Sequence, residues 1–104
     1  MSYNKLVRDN IPDIIKNNGE IPITRILSDD EYKIELEKKL YEEYQEVLNS
    51  SGKDRLEELA DMLEVMTSLA KLEGKDLDDV IEEAKVKRLK RGGFEKKIYL
   101  EGVK

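Results

Sequence analysis

Between Tyr32 and Leu72 the apolar residues recur at helical spacing. Tyr32, Leu36, Leu40, Tyr44 and Val47 return every three or four positions, forming one stripe at about 100° per residue. Ser28 stands before this stripe with Glu31 three residues on, the two halves of a capping box, so a helix is expected over 29–49. Asn49-Ser50-Ser51-Gly52 reads as a turn. A second helix follows from near Asp54 to near Gly74. It is apolar on two faces. Leu56, Leu59, Ala60, Leu63, Met66 and Ala70 make one; Met62, Val65, Leu69 and Leu72 make the other. Only a narrow strip of Glu57, Glu64, Ser68 and Lys71 is polar, the pattern of a helix covered on nearly all sides. The short turn makes the two helices antiparallel neighbours.

The flanks are read the same way. Pro12 suits the first turn of a short helix over 11–16, with Ile11, Ile14 and Ile15 inward and Asn17-Asn18-Gly19 as its stop. The run Ile21 to Leu27 is β-branched but contains Pro22, so it reads as an extended connector or a single edge strand. Asp76 is a good N-cap for a further long helix, with Asp78 and Asp79 at its positive end and Leu77, Val80, Ile81 and Ala84 inward. That helix ends in Lys85, Lys87, Arg88, Lys90 and Arg91 before Gly92-Gly93. Phe94, the only Phe, is expected to anchor in the core, with Ile98, Tyr99 and Leu100 packing as a short extended tail. The expected fold is all-α: a helical-hairpin core of four-helix-bundle type with a short N-terminal helix, forming one domain over 1–104. The doubly apolar second helix points to burial against a second subunit.

Composition narrows the chemistry. The chain has neither Cys nor His, which excludes thiolate chemistry, disulfides, His-based zinc sites and a Ser-His-Asp triad. A net charge of −5 argues against nucleic acid as a partner. Nothing reads as a signal peptide or a membrane span, so a cytoplasmic location with no membrane partner is expected. The remaining tools are carboxylates, Lys, Arg and a hard metal ion.

The acids are placed unequally. On the first helix Glu43 falls inside the apolar stripe and Glu46 on its edge, while Glu42 points away. On the second, Glu58 and Asp61 head the Met62–Val65–Leu69 face. The two pairs lie about one turn either side of the loop, at similar heights. Converging anions at low dielectric repel severely unless a cation intervenes, and an all-oxygen set suits Mg²⁺ or Mn²⁺. The plainer alternative is ordinary ion pairing. Asp61/Glu64, Asp76/Asp79 and Asp79/Glu82 share the spacing without apolar embedding. Lys5, Arg8, Lys87, Arg88 and Arg91 are candidates to bind phosphate, against the alternatives of solvated surface charge and helix-dipole compensation. Tyr41 or Tyr44 is a candidate to stack on a base, against a core role.

Glu43-Tyr44-Gln45-Glu46 followed by Glu58-Leu59-Ala60-Asp61 resembles the ExxE…ExxD signature of the MazG-like all-α nucleoside triphosphate pyrophosphatases. Lys39 to Glu43 resembles that family's K-L-x-E-E opening, and Glu57 to Val65 its E-E-L-A-D-x-L-E-V helix. The K-L-V-R-D-x-I-P opening at Lys5 to Pro12 and the R-G-G-F at Arg91 to Phe94 are similar to the small house-cleaning subgroup related to phosphoribosyl-ATP pyrophosphohydrolase. The resemblance implies Mg²⁺ held by Glu43, Glu46, Glu58 and Asp61. It implies cleavage of a nucleoside triphosphate, or a nucleotide-like molecule, to monophosphate and pyrophosphate, in a homodimer or homotetramer. Glu46 and Glu58 are the candidates to activate water. Only eleven residues separate Glu46 from Glu58, at the short end of the family's range, which implies a tight hairpin. The rival expectations are a nucleotide sensor without turnover, a metal-free helical interaction module, and phosphoribosyl-ATP hydrolysis.

Overall fold

The computed structural model describes residues 4–104, so Ser2 and Tyr3 of the opening segment lie outside the described residues. It is all-helical: α1 (Ile11–Asn17), α2 (Asp29–Leu48), α3 (Gly52–Leu72) and α4 (Leu77–Arg91). Three of the four starts have a local cause. Pro12 occupies the first turn of α1. The Ser28 hydroxyl accepts from the Glu31 N–H at 3.3 Å, and the Glu31 carboxylate accepts in return from the Ser28 N–H at 3.3 Å. Arg25 reinforces that box, donating to Glu31 at 2.9 Å. Asp76 and Asp79 form the same reciprocal box at the start of α4, both bonds at 3.0 Å. α4 stops at Gly92, whose φ of +81° is open to glycine and strained for other residues. None of the four helices is long and apolar enough to cross a membrane.

α2 and α3 pair along their length as an antiparallel hairpin; α4 approaches only α3, and α1 runs beside no other helix. The core lies on the hairpin seam, where Leu36 is 3% and Val65 7% exposed. Glu43 sits among them at 7%. Of the two apolar faces of α3, the one carrying Met62, Val65 and Leu69 is covered. On the other, Leu56, Leu59 and Leu63 stay exposed.

Several expectations fail here. The 21–27 run is the connector and not the edge strand of the two alternatives, because the described residues contain no other strand to pair with it; Ile21, Ile23 and Ile26 face solvent. Phe94 is no core anchor but 97% exposed, and Ile98, Tyr99 and Leu100 are exposed rather than packed as a tail. Tyr44 leaves the apolar stripe for the surface, as does Ile14 on α1; on α4 Leu77 and Val80 are half-buried while Ile81 and Ala84 are exposed. The common reason is that a single copy has a covering layer for one side of the hairpin only.

Candidate metal centre

Helical phase alone brings three acids together. Glu43 lies one turn after Lys39 on α2, and Glu58 and Asp61 lie one turn apart on the facing end of α3. One carboxylate oxygen from each of Glu43, Glu58 and Asp61 lies within 4.8 Å of the others. Glu43 is buried and the other two are half-buried. Glu46 is exposed and outside this trio, but its charge still acts on Glu58. Partial burial first, and then the charges of Asp61, Glu46 and Glu43, hold the Glu58 carboxyl above its ordinary value; a hydrogen bond with Glu43 acts in the same direction.

Two cations lean on the cluster. Arg8 donates to Asp61 Oδ1 at 2.7 Å. Lys39 Nζ lies 3.6 Å from Glu43 Oε1 and 3.4 Å from Glu42. Periodicity carried the Lys39 contact, since residues four apart share a helix face. Arg8 and Asp61 are 53 positions apart and only folding joins them. The three carboxylates against these two cations leave one formal negative charge at the cluster. The donors are all hard oxygens within 4.8 Å of one another, the donor type that a hard divalent cation takes. The residues therefore fit Mg²⁺ or Mn²⁺.

The other candidate phosphate ligands are not gathered. Lys5 is exposed. Lys87, Arg88 and Arg91 are exposed on α4, and among the described residues no ion pair joins them to the four acids. Arg88 pairs instead with Glu95 at 2.6 Å, holding Glu95 below the ordinary carboxylate range. Tyr41 and Tyr44 form a tilted surface pair with ring centroids 6.1 Å apart, accessible to a planar ligand.

No protein-family model matches the chain, and no solved structure matches it. An uncharacterized protein of Mycolicibacterium smegmatis is 46% identical over 50 residues, which is 48% of this chain and 51% of that protein. The chain thus spans about half the length of the curated relative it matches.

Proposed function

We propose that the chain is a Mg²⁺-dependent pyrophosphohydrolase of MazG-like type. In this reading it cleaves a nucleoside triphosphate, or a similar molecule, between the α and β phosphates as cytoplasmic house-cleaning of non-standard nucleotides. The observation that carries the reading is the convergence of Glu43, Glu58 and Asp61 at the half-buried seam of the hairpin. These three would hold the ion, which supplies charge neutralisation of phosphate oxygens and a more acidic water. Glu46 stands beside the trio with its carboxylate in solvent, free to take the proton of the water that attacks the α-phosphorus. Glu58, at the cluster itself, is the other candidate to orient or deprotonate that water. Pyrophosphate then leaves with the P–O bond electrons. Arg8, already at the cluster edge, is positioned to exchange Asp61 for a phosphate oxygen. Lys5, Lys87, Arg88 and Arg91 are further phosphate ligands in this reading only once the oligomer or the substrate draws them in.

The ion pairs Arg8–Asp61 and Lys39–Glu43 favour a second reading, a metal-free helical interaction module. One experiment separates the two. Pyrophosphate release is measured over a panel of standard and modified nucleoside triphosphates, with and without Mg²⁺, on wild type and Glu58→Gln. Melting temperatures are recorded alongside. Release that needs Mg²⁺ and is lost in Glu58→Gln is expected. Without Mg²⁺ the variant should melt no lower than wild type, since a neutral amide relieves the repulsion on Glu58, and Mg²⁺ should raise its melting temperature less. A Mg²⁺ shift without release indicates a sensor. Neither shift nor release leaves the interaction module. Glu57→Gln and Glu64→Gln, both on the solvated strip, should change activity little.

A further inference from the structure

The two cations at the acid cluster are held in different ways. Lys39 is on α2, one turn before Glu43, and its half-buried side chain shares a helix face with that partner. It belongs to the seam. Arg8 comes from 53 positions away to donate to Asp61 Oδ1 at 2.7 Å. It lies before α1, outside any helix, and α1 itself runs beside no other helix. The Arg8–Asp61 pair is also open to water, with side chains 56% and 44% exposed. Exposed ion pairs are weak, and a guanidinium on an irregular segment can swing away from its partner at little cost.

Charge favours such a departure when a divalent ion arrives. Glu43, Glu58 and Asp61 against Arg8 and Lys39 leave one formal negative charge; without Arg8 they leave two, the charge of one divalent ion. A divalent ion and a guanidinium on the same carboxylate are like charges on one small group, and they repel. Without an ion the opposite holds. Glu58 is already pushed up by its burial and by the neighbouring acids, so a cation on Asp61 relieves the crowding.

We infer, on the metal reading proposed above, that Arg8 is the resident counter-ion of this centre: it holds Asp61 in the ion-free chain and gives Asp61 up to a divalent cation. The same exchange sets an order of events. Arg8 becomes available to a phosphate oxygen only once Asp61 has taken the ion, so the guanidinium is released where and when a phosphate needs it. Arg8 is thus both a brake on ion binding and a phosphate ligand in reserve.

Mn²⁺ alone tests this, with no nucleotide present. Binding to the full chain is followed by electron paramagnetic resonance of the free ion. Arg8→Gln should bind Mn²⁺ roughly two- to five-fold more tightly than wild type, the span that an exposed ion pair is worth. Lys5→Gln removes the same charge from a nearby exposed side chain and should change the affinity less. Equal tightening in both variants is a general charge effect and overturns the inference. Unchanged or weaker binding by Arg8→Gln overturns it as well; weaker binding would mean that Arg8 stays on Asp61 and orients it for the ion. The exchange itself is read from the Arg8 guanidinium in a ¹⁵N spectrum, assigned by its loss in Arg8→Gln. Mg²⁺ should move that signal towards the position of free arginine, and a signal that stays in place while the ion binds overturns the exchange. Mn²⁺ bound by none of the three proteins overturns the metal reading itself, and the role of Arg8 falls with it.

Discussion

At the residue scale, environment rather than identity separates the acids of this chain. Glu42 and Glu43 are neighbours, yet Glu43 is buried on the seam. Glu58 and Glu31 show the two opposite electrostatic fates. Glu58, half-buried among anions, is pushed up. Glu31, bonded by Arg25 and by the Ser28 backbone and hydroxyl, is held down to about 2 against an ordinary value of 4.5. The sign follows from linkage. Stability from Glu31 is fully present above the ordinary carboxylate value and is lost as pH falls from about 4.5 towards about 2. Chemical unfolding of wild type and Glu31→Gln across that window should therefore converge as the pH falls. Because Asp79 and Glu95 are depressed in the same direction, the difference between the two proteins is the quantity to follow. A gap that stays constant would separate Glu31 from the acid sensitivity.

At the element scale, helix starts are fixed by short-range chemistry. Ser28 and Asp76 each satisfy an orphan N–H and receive a bond in return. Ser28→Ala should destabilise by about 1 kcal/mol, a shift of roughly 4–8 °C for a domain of this size, readable by thermal unfolding. Elements that need a long-range partner behave otherwise. A strand requires a second strand, and the 21–27 run has none among the described residues. The 92–104 segment likewise keeps Phe94, Ile98, Tyr99, Leu100 and Val103 exposed.

At the scale of the whole molecule, a single seam carries the fold. Among the described residues Leu36 and Val65 are the buried apolar side chains, both on the α2–α3 hairpin. Leu36→Ala should cost about 2–5 kcal/mol, seen as a lower urea midpoint, because the facing helix has little else to collapse onto. Leu56→Ala, on the exposed outer face, should lower the urea midpoint much less than Leu36→Ala.

The sequence by itself determined the four helices, the capping boxes at Ser28 and Asp76, the antiparallel hairpin and the presence of Glu43, Glu58 and Asp61 on its inner faces. All of these follow from helical period and from interactions within a few residues. Tertiary structure decided which of the two apolar faces of α3 is covered, since periodicity marks both alike. It decided that Glu46 stands outside the trio at the edge of the α2 stripe, where a small rotation moves a side chain from seam to solvent. It also joined Arg8 to Asp61 and left Phe94 exposed rather than in the core, because contacts between distant segments depend on which surfaces the chain can bring together.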